Sequence, residues 1–135
     1  MAEKIKHGQV CWNELATSDL GKAKEFYSAL LGWKLEQSNA VKMEYPEIKV
    51  GEKTLGGMMQ MTDEWKNAET GEFLMPSHWM TYIAVDDVDE TARKVSEMGG
   101  KICVPPTDIA PVGRFSVIND PSGAFISIIT LSNVE

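Results

Sequence analysis

Glu14 and His78 are the two side chains of this sequence whose type and setting suit proton transfer. Glu14 lies within residues 9–17, Gln-Val-Cys-Trp-Asn-Glu-Leu-Ala-Thr, a strand-like run whose alternation is blurred by Asn13 and by Glu14 itself. A carboxylate in an otherwise apolar strand is costly to bury unless it is paired, hydrogen-bonded or kept wet. It reads either as a group that contacts a ligand or as a carboxylate bonded to neighbouring backbone amides. His78 follows Pro76-Ser77, and reads either as a site residue or as a solvated histidine opening a strand. Arg114, in Val112-Gly113-Arg114-Phe115, is an anion partner or an exposed hairpin residue, and His7 belongs to an N-terminus expected to fray. Cys11 and Cys103 sit in apolar contexts without CxxC spacing, so both are expected to be buried, inert thiols. No Gly-rich phosphate loop and no Gly-x-Ser-x-Gly elbow is present.

The elements that would position these groups follow from period and punctuation. Ser18 is a plausible N-cap, and Leu20, Ala23, Tyr27, Leu30 and Leu31 recur at helical spacing until Gly32 closes the turn. Strands are expected at 33–37, 41–50 and 55–61. Residues 62–77 carry no period and read as a linker or lid, with Trp65 and Phe73 as lid anchors or as a docked loop. The pattern then returns. A strand at 78–85 precedes an Asp87/Glu90 capping box, and Val88, Ala92, Val95 and Met98 form a stripe ending at Gly99-Gly100. Strands at 101–104, about 115–118 and 124–131 complete it, the last two joined by Asn119-Asp120-Pro121-Ser122-Gly123.

The chain has 135 residues, 43% of them hydrophobic and 24% charged, which suits one globular domain. A net charge of −7 opposes nucleic-acid phosphate, and no basic patch offsets it. No run is long and apolar enough for a membrane helix, and the first residues do not form a signal peptide, so a cytoplasmic location is expected. Asp19 and Asp87 are 68 residues apart, as are Gly32 and Gly100, and the same shift lays 14–17 on 82–85 and 57–61 on 125–129. Two strand–helix–strand–strand–strand units of equal length read as an internal repeat.

Glu14-Leu15-Ala16-Thr17-Ser18-Asp19-Leu20, Phe26-Tyr27, Leu30-Leu31-Gly32-Trp33 and Asp120-Pro121-Ser122-Gly123 together resemble the vicinal oxygen chelate superfamily, which holds glyoxalase I, extradiol dioxygenases and bleomycin resistance proteins. The match spans about residues 9–131 and is nearest to the glyoxalase-like branch. The resemblance implies an α+β fold of two tandem βαβββ modules, a curved mixed sheet forming a cup with one helix per module. Module 1 covers about 9–61, the linker or lid 62–77, and module 2 about 78–131 of a single 1–135 domain.

The family's four metal positions fall by motif register on Trp12, Met59, Met80 and Ser127. Indole does not ligate, thioether is a poor donor for hard divalent ions, and one hydroxyl is insufficient, so neither metal nor other cofactor is expected. With those four pointing into the cup, alternation also turns Glu14, His78, Tyr82 and Phe125 inward. Trp12, Met59, Met80, Tyr82, Phe125 and Ser127 would then contact a ligand, with Glu14 and His78 as the catalytic candidates. If the first strands of the two modules run antiparallel with Trp12 opposite Met80, Glu14 faces His78 and the two share a hydrogen bond. Three functions compete: binding of a small apolar or aromatic molecule, an isomerase or lyase using Glu14 with His78, and a structural module with a filled cup. A homodimer is expected from the resemblance, with no nucleic-acid or membrane partner.

Overall fold

The computed structural model describes residues 5–109 and 111–132. Its contacts group into two compact units, one spanning Asn13–Trp79, the other made of the residues up to Trp12 and those from Met80 onward. In sheet hydrogen bonding the strand order is β2-β3-β4-β1-β5-β8-β7-β6, with the ranges given below. The fold is α+β, as expected.

The first unit is built from β1 (Val10–Thr17, from Asn13 on), α1 (Leu20–Leu31), β2 (Lys34–Gln37), β3 (Pro46–Val50), β4 (Lys53–Gln60) and a single 3-10 turn, Asp63–Trp65. Asp19, one residue beyond the expected Ser18, caps α1, its Oδ1 accepting from Lys22 N at 3.0 Å. Ser18 is engaged elsewhere: its N–H donates to Ser77 Oγ and its carbonyl accepts from the Gln60 amide. Gly32 closes the helix at φ 71°, a left-handed conformation that glycine adopts without steric cost. Leu20, Ala23 and Tyr27 pack on Leu15, Ile48 and Met58, and each fully buried side chain of this kind contributes about 1.5–3 kcal/mol. β1 and β4 are parallel, with Glu14 beside Gly57 and Leu15 beside Met58. β2, β3 and β4 are successively antiparallel.

Residues 41–45, the first half of the strand expected at 41–50, belong instead to a loop over 38–45. Gln37 fastens it: Nε2 donates to Met43 O at 2.8 Å, and Oε1 accepts from Tyr45 N at 2.8 Å. A side chain that satisfies two loop amide groups competes directly with strand pairing.

The second unit holds most of β5 (His78–Ala84), α2 (Val88–Val95) with a 3-10 extension Ser96–Met98, β6 (Lys101–Ile109), β7 (Gly113–Asn119) and β8 (Phe125–Leu131). Asp87 Oδ1 accepts from Glu90 N at 3.1 Å, while the Glu90 carboxylate pairs with Arg93. Val88 and Ala92 pack on Val85 and Ile128. β6 runs far beyond the expected residue 104, through Pro105 and Pro106, because as the last strand of the sheet it can lose N–H donors on one side; its pairing with β7 shifts register twice there.

The 68-residue repeat is not gap-free. The helix-closing glycines are Gly32 and Gly99, 67 apart. Glu14 is registered with Gly57, whereas Tyr82 is registered with Ser127, so the last strands are offset by 70. A two-residue slip preserves which face each side chain occupies, so the inward and outward assignments survive it.

Candidate functional site

In the first unit α1 covers the sheet face carrying Leu15, Ile48 and Met58. Alternation places Glu14, Ala16, Gly57, Met59 and Glu47 on the opposite, helix-free face. There the Tyr45 hydroxyl donates to Glu14 Oε2 at 2.5 Å. The phenol ring rests on Gly57, where an added Cβ would lie 2.1 Å from Tyr45 Cε1. Glycine is therefore required at 57 for the ring to approach the strand this closely and reach the carboxylate. A phenol–carboxylate hydrogen bond is charge-assisted and fixes the direction of the carboxylate. Glu47 shares a cross-strand row with Gly57 and Glu14, bringing a second carboxylate onto this face.

His78 opens β5. Its Nδ1 lies 2.8 Å from Pro76 O, and its Nε2 is buried without a hydrogen-bond partner. The Trp65 ring stands against the imidazole, centroids 6.1 Å apart at 47°. Trp65 is held by backbone bonds at both ends of its segment: its N–H reaches Thr62 O, and its carbonyl accepts from Leu74 N. Residues 62–77 are thus a folded excursion closed by a Lys66–Phe73 bridge, and Phe73 lies under the Lys66 ammonium rather than beside His78. The expected Glu14–His78 hydrogen bond is not formed. Tyr45 engages the carboxylate, Pro76 engages the one imidazole N–H, and the remaining ring nitrogen is unpartnered.

In the second unit α2 covers Val85 and Ile128, and the helix-free face carries Met80, Tyr82 and Ile129 packed with Trp12, Phe115 and Val117. Of the expected ligand contacts, Trp12, Met80 and Tyr82 are brought into this one apolar cluster. Ser127 is registered with Tyr82, has 0% exposure, and its Oγ has no partner. Phe125 is exposed at the start of β8. Met59 is half-buried in the first unit.

Several other expectations are corrected. Cys103 is exposed: it is the extra residue at the register shift between Ile102 and Val104 on the edge strand β6, and its Sγ donates to Asn119 Oδ1. Cys11 is half-buried, and burial pushes its thiol pKa up. Arg114 is ion-paired with Asp89 and Asp108 at 2.9 and 3.1 Å. His7 is anchored, its Nδ1 accepting from Asp86 N at 2.9 Å. Tyr45 and Glu47 went unseen in the sequence, although two adjacent glycines, Gly56 and Gly57, inside a strand do signal close approach of another segment.

Among the described residues no three His, Cys, Asp or Glu side chains gather as a metal site. Trp12, Met59, Met80 and Ser127 supply no imidazole, carboxylate or thiolate, so these positions do not fit a divalent ion. On the helix side of the first unit, a cavity of about 280 Å³ is lined by Asn13, Trp33, Ile48, Leu55 and Trp79, none of them titratable. No helix among the described residues is long and apolar enough to cross a membrane.

Comparison with known proteins places these features in a family. CFP32 of Mycobacterium bovis, whose name marks it as a provisional glyoxylase, is 38% identical over 125 residues, 90% of this chain and 44% of its own. The anthracycline biosynthesis protein DnrV of Streptomyces peucetius is 27% identical over 142 residues, covering 90% of this chain and 46% of its own. The chain thus spans less than half the length of these curated relatives. Methylmalonyl-CoA epimerase from Mycobacterium tuberculosis shares the fold, with a TM-score of 0.62 at 17% identity, covering 97% of this chain and 93% of the epimerase. The family model for the Glyoxalase/Bleomycin resistance protein/Dioxygenase superfamily matches residues 5–128, and the chain belongs to that superfamily.

Proposed function

We propose that the protein binds a small, largely apolar or aromatic molecule on the helix-free face of its first unit, without a metal, using Glu14 as a polar anchor. The observation that carries this reading is the Tyr45–Glu14 bond seated on Gly57. It holds a carboxylate in one direction on a face that also carries Met59, the Tyr45 ring and the Glu47 carboxylate, and a few placed polar groups among apolar walls are the usual make-up of a ligand site. The relative named for anthracycline biosynthesis is consistent with an aromatic ligand. Methyl-labelled methionine NMR tests it with 2-methoxynaphthalene as probe, the Met59 signal being assigned through Met59→Leu. The Met59 methyl should shift on titration while that of the exposed Met98 does not. An unmoved Met59 methyl at millimolar probe would refute the reading and favour a purely structural module.

A second reading, an isomerase or lyase with Glu14 as base, draws on the same bond, since a fixed carboxylate is what proton abstraction requires. Glu14→Gln separates the two: it would abolish turnover while leaving probe binding measurable. The same proposal takes the protein to be a homodimer, for which sedimentation should give about twice the 15.0 kDa chain mass.

A further inference from the structure

His78 is fixed in one tautomer. A carbonyl oxygen only accepts, so the Nδ1 atom 2.8 Å from Pro76 O carries the ring proton and Nε2 presents a lone pair. That lone pair is buried and has no partner, an arrangement that folding disfavours and that a donor would relieve. Within the first unit Trp79 lines the helix-side cavity with Trp33 and Ile48 and bonds Tyr27 of α1, so alternation along β5 turns its neighbour His78 to the helix-free face, the face that carries Glu14. Glu14 is an acceptor as a carboxylate, and His78 is an acceptor by its tautomer. The flat Trp65 indole stands beside the imidazole.

We infer that His78 Nε2 is the recognition point for a hydrogen-bond donor, so that the molecule taken up on this face is an aromatic compound bearing an O–H or N–H, its ring replacing or stacking on that of Trp65 where it meets the imidazole. This rests on the ligand-binding reading above and names the ligand class. A ligand offering only acceptors leaves Nε2 as unsatisfied as in the empty site, whereas a donor completes it. Such a mismatch is a stronger discriminator than a missing methylene.

The test uses two probes of similar size, 2-naphthol, which donates, and 2-methoxynaphthalene, which does not, at pH 8, where an imidazole is ordinarily neutral. The chain has two histidines, so a protein labelled with 15N-histidine gives two rings, distinguished by His7→Gln. The naphthol should bind about tenfold more tightly than the ether, and should move the Nε2 resonance of His78 toward the hydrogen-bonded range while Nδ1 stays in place. His78→Phe should bring the ratio of affinities to about one, and His78→Gln, which keeps an acceptor near the same point, should restore part of it. Equal binding of both probes with an unmoved Nε2 would overturn the inference while leaving the apolar site standing. Binding of neither probe would overturn both.

Discussion

Two serines of the second unit form a matched pair that tests how buried polar atoms are satisfied here. Ser116 on β7 and Ser127 on β8 both have 0% exposure. Ser116 Oγ donates to Val104 O at 2.6 Å, whereas Ser127 Oγ has no partner. Serine to alanine deletes the same atom from each. At Ser127 the hydroxyl has left water with nothing to replace it, a cost of about 1–3 kcal/mol, while the dispersion contacts of one oxygen amount to some tenths. Ser127→Ala should therefore raise stability by about 1 kcal/mol, or roughly 3–5 °C in Tm for a domain of this length. Ser116→Ala removes a made hydrogen bond and strands a carbonyl, so it should lower stability by about 0.5–1.5 kcal/mol. Urea unfolding at equal m-values, with thermal scans alongside, resolves a gap of about 2 kcal/mol. A loss at Ser127→Ala equal to that at Ser116→Ala would refute the reasoning, since it would mean that the Ser127 hydroxyl is bonded in solution.

Gly57→Ala should expel the Tyr45 ring and cost about 1–3 kcal/mol, as overpacking does; Gly56→Ala should cost more, because its Cβ would meet the Asn13 carbonyl oxygen at 1.8 Å and backbone cannot step aside. Equal costs by chemical denaturation would contradict the seating of Tyr45 on Gly57. Toward a disulfide reagent Cys103 should react quickly, and Cys11, half-buried with its pKa pushed up, slowly; equal rates for the two would contradict their difference in exposure. The hydrogen bond from Arg114 holds the Asp89 carboxyl below its ordinary pKa, so the associated stabilisation is present above the usual carboxylate range and fades as pH falls through the depressed value. Arg114→Gln should flatten that acid limb in a series of thermal scans, the difference shrinking in high salt, and an unchanged limb would show that the exposed pair contributes nothing.

The helices were legible because their signals are local. Leu20 to Gly32 carries both a period and a left-handed stop, and Asp87 bonds the amide it was expected to bond. The cap shifted from Ser18 to Asp19 because Ser18 is engaged by Ser77 and Gln60, distant residues that no local pattern shows. The same holds for the candidate site. Glu14 stood out as a carboxylate in an apolar strand, but its partner arrives from a loop 31 residues away, placed by the Gln37 side chain. His78 was visible as a residue type, while its tautomer depends on where the Pro76 carbonyl points. Cys103 and the length of β6 were misread for one reason: both depend on that strand lying at the edge of the sheet, which is a property of topology.

The two outer strands bear on how the protein withstands crowding and heat. β2 is four residues long and carries Lys34 and Glu36, and β6 contains Pro105 and Pro106 within its second register shift, between Val104 and Thr107. A short charged strand and one lacking two amide donors are poor templates for another chain to add to. Concentrated solutions should accordingly resist fibril growth by edge-to-edge addition, and any self-association must be made through side chains, leaving the backbone ladder of each chain closed to its neighbours.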